Sequence, residues 1–153
     1  MSDLYCLKCG KYHHTNYNKC NVLSLVPVTR KCRKLADTLY SMGIEPLSVG
    51  HFTQNVVGSD DRHKIQIFIE LRHSYPTDIL GDSLPTGWNF YNETISGDHT
   101  PLPLMVLAYY ETFHCDVKLT VKERINQVIE QFGNYLSTRD AASTRAVIKL
   151  MYS

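Results

Sequence analysis

From His63 to Arg72 the chain alternates, with Ile65, Ile67, Ile69 and Leu71 on one side and Lys64, Gln66, Glu70 and Arg72 on the other. A two-residue period gathers the apolar side chains on one face, so the segment predicts a half-buried β-strand. Residues 47–57 predict a second strand. Leu47 and Val49 share a phase before Gly50, and Phe52 and Val56 share the other phase after it, which predicts a β-bulge at Gly50. The turn-forming run Gly58-Ser59-Asp60-Asp61 joins the two into a hairpin. Residues 104–119 open ambiguously. They close on Phe113, Cys115, Val117 and Leu119 alternating with Thr112, His114, Asp116 and Lys118, again a strand.

Elsewhere the period lengthens to three and four. Cys32, Leu35, Ala36, Leu39, Tyr40 and Met42 form one face of a helix that Thr29 is placed to cap. Gly43 ends it, and Pro46 discourages a restart. Thr120-Val121-Lys122-Glu123 is a capping box opening a second helix, whose buried stripe is Val121, Ile125, Val128, Ile129, Phe132 and Leu136. Asp140 caps a third helix, with Ala142, Ala146, Val147, Leu150 and Met151 as its apolar positions. Residues 21–28 are extended, and the Pro- and Gly-punctuated stretch 73–103 predicts a long loop holding one short strand at Trp88–Tyr91. The order of elements predicts an α+β fold: an antiparallel sheet with helices packed on one face. A small N-terminal zinc-binding module, residues 1–28, precedes the compact α+β domain of residues 29–153.

Composition adds little to this picture. The chain has 153 residues, 43% hydrophobic and 20% charged, enough for a real core. It has no apolar run of eighteen, so no membrane span is expected. The opening residues lack the basic start and apolar stretch of a secretory signal, so a cytoplasmic location with reduced thiols is expected. Charge changes the picture more. Residues 1–35 hold seven basic groups against Asp3 alone, +6 net, while the remainder holds nine basic and fourteen acidic groups, −5 net. A basic pole on a mildly acidic body attracts phosphates or an acidic protein face.

Four of the five cysteines lie in the first 32 residues. In a reducing compartment such crowding favours metal over disulfides. Cys6, Cys9, His14 and Cys20 have the spacing Cys-x2-Cys-x4-His-x5-Cys, with Gly10-Lys11 after the second cysteine. This resembles the CCHC zinc knuckle over residues 6–20, with one extra residue before Cys20 and His13 where the knuckle carries glycine. His13 is an alternate ligand, as is Cys32 in a ribbon-like arrangement. Four protein ligands would fill a tetrahedral Zn2+ and make it structural, and the segment is too poor in apolar residues to fold without it. The resemblance implies contact with single-stranded nucleic acid: Tyr12 and Tyr17 would stack on bases, and Lys8, Lys11 and Lys19 would hold phosphates. Arg30, Lys31, Arg33 and Lys34 extend that positive surface.

Other chemistry is weaker. In His114-Cys115-Asp116 a strand would aim Cys115 away from its neighbours, into the core. His51-Phe52-Thr53 has half of a paired phosphoesterase signature, and no second half follows. His51, His63, His73 and His99 with Asp60, Asp61, Asp78, Asp82 and Asp98 would form a second metal site only if the fold gathered them. Trp88, Phe90 and Tyr91 are candidate partner-binding aromatics. The sequence therefore points to a non-enzymatic, zinc-stabilised binding protein contacting nucleic acid. The alternative is a protein-binding adaptor or inhibitor; in general character the chain is similar to accessory proteins of phages or mobile elements.

Overall fold

The computed structural model describes residues 2–13, 20, 25–58, 60–76, 78–81, 83–96, 101–115 and 119–152. Seven strands form one sheet: β1 (Ser2–Cys6), β2 (Tyr12–His13), β3 (Leu25–Thr29), β4 (Pro46–Asn55), β5 (Arg62–Leu71), β6 (Trp88–Ser96) and β7 (Pro101–His114). Their order across the sheet is β2-β1-β3-β4-β5-β7-β6. All neighbours are antiparallel except β3 and β4, which pair in parallel around Val28 and Val49. A parallel pair needs a crossover, and helix α1 (Arg33–Ser41), entered through a 3-10 turn at Arg30–Cys32, provides it. Helices α2 (Val121–Ser137) and α3 (Ala141–Tyr152) complete the α+β fold. The strands β1, β2 and β3, which carry the first 28 residues' described part, belong to the same sheet as the rest.

The core lies between the sheet and the helices. Ile65, Ile67, Ile69 and Leu71 point into it as their alternation predicts, and meet Leu35, Ala36 and Leu39 of α1 and Ile125, Val128, Phe132 and Leu136 of α2. Each such side chain contributes roughly 1.5–3 kcal/mol of transfer free energy. The capping box forms: Thr120 Oγ1 accepts from Glu123 N–H at 3.2 Å, and Glu123 Oε2 from Thr120 N–H at 3.3 Å. Helix α1 ends as expected. Gly43 takes φ +83°, its N–H bonds the Tyr40 carbonyl, and the Ile44 N–H reaches back to Leu39, both at 3.0 Å.

Four local expectations are corrected. Thr29 stands at the start of the 3-10 turn, yet its side chain makes no capping bond. The irregularity in β4 falls between Pro46 and Ser48, not at Gly50, which pairs regularly with Phe68. Gly50 serves close approach instead: a Cβ there would sit 2.9 Å from the Phe68 ring. The stretch 73–103 is less of a loop than its prolines suggest, for β6 runs nine residues and β7 begins at Pro101. Pro101 and Pro103 are tolerated because β5 pairs with β7 only from Met105 onward, leaving the earlier part an edge. Helix α3 is rotated from its expected setting. Ile148 is its buried anchor, while Ala142, Ala146, Val147, Leu150 and Met151 are exposed. The cap on α3 does form, with Ser143 N–H donating to Asp140 Oδ1 at 3.0 Å.

Candidate metal centre

The β1–β2 hairpin aims the first two thiols. Strand β1 ends at Cys6, whose N–H and carbonyl bond Lys11 O at 2.9 Å and Gly10 N–H at 2.8 Å. This tight turn brings Cys9 N–H to within 3.5 Å of Cys6 Sγ. That N–H is the main reason the Cys6 thiol is lowered to about 7, although burial opposes it. Cys20 arrives from beyond β2, and the sulfurs of Cys6, Cys9 and Cys20 all lie within 4.8 Å of one another. Zinc–sulfur bonds of about 2.3 Å in a tetrahedron place sulfurs about 3.8 Å apart, so the trio is compatible with one metal ion. His13 Nε2 is 3.2 Å from Cys9 Sγ and 3.9 Å from Cys20 Sγ.

Why His13 reaches the thiols follows from strand geometry. Neighbouring residues of a strand face opposite ways. Tyr12 turns toward α1, where its hydroxyl donates to Asp37 Oδ1 at 2.7 Å and to Arg33 O at 3.2 Å. His13 therefore turns the other way. That alternation was the available signal, and knuckle spacing pointed instead to His14, which lies outside the described residues. Cys32 is not part of the cluster. It is fully buried among Leu35, Ala36 and Leu39, and burial pushes its thiol up.

The expected polyanion surface divides. Lys8 and Lys11 are exposed on the hairpin turn. Arg30 and Arg33 both address the buried carboxylate of Asp3, at 3.4 and 3.8 Å. Arg33 also lies over the Tyr12 ring, 3.9 Å from its centroid, so that face of Tyr12 is covered. Asp3 and Asp37 carried no local signal as partners, because sheet pairing and the crossover helix bring them in from the far side. Lys31 and Lys34 point elsewhere and line a cavity of about 410 Å³ between α1 and α2. Tyr17 and Lys19 lie outside the described residues. Tyr5 stacks on Tyr40 at 4.3 Å, tying the hairpin to α1.

The aromatic trio also divides. Trp88 is 4% exposed and stacked on Phe132 with ring centroids 4.0 Å apart, so it lies in the core. Phe90 packs against the same core, and Tyr91 is exposed on the opposite face. Cys115 stands just past the end of β7 and is half-buried, not in the core. The scattered histidines stay apart: His114 Nε2 lies 3.2 Å from Asp61, and His73 is 3.8 Å from Glu45 and stacked on Tyr152. His99, Asp82 and Asp98 lie outside the described residues. Among the described residues the cysteine trio is the one group of three or more metal-ligating side chains whose donor atoms converge.

Taken together these features define an α+β protein with a cysteine cluster at its N-terminal edge that is compatible with a metal ion. Comparison with protein-family models, with curated proteins and with solved structures gives no match. No described helix is long and apolar enough to cross a membrane.

Proposed function

We propose that Cys6, Cys9, Cys20 and His13 hold a structural zinc ion, and that the braced hairpin presents its lysines to single-stranded nucleic acid. The convergence of three sulfurs carries the reading, and His13 Nε2 stands 3.2 Å from Cys9 Sγ and 3.9 Å from Cys20 Sγ. Three thiolates and a neutral imidazole are a soft-to-borderline set suited to tetrahedral zinc. With four protein donors no position remains for water or substrate, which favours a bracing role over a catalytic one. Lys8 and Lys11 stand exposed beside the cluster, whereas Arg30 and Arg33 are engaged by Asp3. Contact with a polyanion is then electrostatic first, with Tyr12 serving to hold the hairpin on α1.

Elemental analysis of purified protein tests the centre. About one equivalent of zinc is expected, reduced by His13→Ala and retained by His14→Ala. Less than about one-tenth of an equivalent in the unaltered protein ends the proposal. Titration of a fluorescent oligonucleotide tests the contact. Affinity should fall steeply with added salt and drop on changing Lys8 and Lys11 to Glu. No binding at low salt refutes the nucleic-acid part and leaves the zinc brace standing.

A further inference from the structure

The face of the sheet turned away from the helices is not the polar surface that a solvated antiparallel sheet presents. Phe52 is 53% exposed, Tyr110 45% and Tyr91 36%, and Phe68, Val106, Ala108 and Leu47 form a small apolar cluster beside them. Along β5 the outward residues are Arg62, Lys64, Gln66, Phe68 and Glu70, with Arg72 just past the strand end. One end of this strip is basic, the middle is uncharged, and at the other end Glu70 adjoins Arg72, which Glu45 holds at 3.4 Å. Pairing across strands arranges the face in rows. Phe52, Gln66 and Tyr110 make one row, and Gly50, Phe68 and Ala108 make the next. Large residues at both margins of one row thus adjoin small residues at both margins of the other. A hollow of about 330 Å³ lies over the row of Gln66 toward Lys64, and one of about 380 Å³ spans the rows of Gln66 and Phe68 toward Glu70.

We infer that this face binds a second copy of the same chain, sheet against sheet, about a two-fold axis. The axis runs across the strands between the rows of Gln66 and Phe68. Such an operation lays β5 antiparallel on its copy and sets each row over the other. Lys64 then faces Glu70 of the copy, and Glu70 faces its Lys64, while Arg62 comes over Arg72, whose charge Glu45 offsets at 3.4 Å. Tyr110 comes over Ala108 of the copy. Phe52 comes over Gly50, where the copy's Phe68 ring lies, at the margin of the hollow lined by the copy's Phe52, Gln66, Phe68, Glu70 and Val106. Self-complementarity of this kind is what an isologous interface requires, and packed sheets keep their strands within about 30° of parallel. The patch spans roughly 20 Å along the strands and roughly 20 Å across four of them. That is at the small end for a stable pair, so association in the micromolar range is expected.

Charge reversal on the full-length protein decides the matter. Sedimentation of the unaltered chain should show a concentration-dependent dimer. Lys64→Glu and Glu70→Lys should each weaken it at least tenfold, since each sets like charges face to face. Mixed in equal amounts, the two variants should pair with each other, because every Glu then meets a Lys. The double exchange should restore self-association. Phe52→Asp should abolish it while leaving the thermal unfolding profile intact. A chain that stays monomeric up to about 500 µM overturns the proposal, as does a dimer indifferent to either reversal. A dimer whose two single variants fail to recombine overturns the proposed register.

Discussion

The two ends of the sheet are held by different forces. From β4 to β7 the strands are nine to fourteen residues long and are backed by helices, with Ile65, Ile67, Ile69, Trp88 and Leu107 buried against Phe132, Leu136 and Leu39. At the β1–β2 end the strands are five and two residues long. Fixation there comes from polar and aromatic contacts: Asp3 with Arg30 and Arg33, Tyr12 on Asp37, Tyr5 on Tyr40, and the converging thiols. Apolar burial is diffuse, and many residues share it. A cysteine cluster is concentrated, and it rests on three side chains. The comparison separates two units within one sheet, one set by hydrophobic area and one by the contacts around the thiols, to which the proposed zinc would add.

The largest expected effect breaks the N-terminal unit alone. Structural zinc in small peptides contributes an apparent ~10–16 kcal/mol at neutral pH, so chelation or Cys9→Ser should remove most of what orders the hairpin. Amide hydrogen exchange should show β1 and β2 losing protection while β5 and β7 keep theirs. Equal loss everywhere would show that the two ends form one cooperative unit. Next in size is Phe132→Ala, which empties a fully buried site stacked on Trp88. Denaturant unfolding should show a loss of about 3–5 kcal/mol. Zinc content of the folded fraction should stay unchanged if the ends are separable.

Thr120→Ala removes one half of the capping box at the start of α2 and should cost about 1 kcal/mol by the same measurement. The smallest effect is a pH signature of the helix-backed end. The Arg124 guanidinium donates to both oxygens of Glu111, at 2.8 and 2.7 Å, and holds that carboxyl below its ordinary pKa. A carboxylate favoured by folding stabilises above its unfolded pKa, and the benefit disappears as pH falls through the depressed folded value. Between about pH 5 and about pH 3 the unaltered protein should therefore lose more stability than Glu111→Gln, by a fraction of a kcal/mol. An identical acid profile for both would show the pair contributes nothing.

Much of this architecture is written in local pattern. Two-residue alternation identified β5 because each apolar residue there has the same neighbour on its face, whatever the rest of the chain does. The capping box on α2, the glycine end of α1 and the Cys-x2-Cys-Gly turn are likewise decided by bonds spanning a few residues. Two members of the cysteine cluster, Cys6 and Cys9, were legible for that reason.

What the sequence did not hold was anything set by long-range pairing. Helix α3 turns Ile148 inward, since its setting depends on what it packs against and not on its own apolar count. Trp88 is a core residue because the β6–β7 pairing carries it under α2, to Phe132. His13 stands beside the thiols because strand alternation, set by β1 pairing, turns Tyr12 to α1 and its neighbour to the sulfurs. Composition and spacing determine which residues are able to bind metal, cap a helix or line a core. Only the sheet, by bringing distant segments into register, determines which of them meet, because the free energy of those contacts exists only once the chain has closed the loops between them.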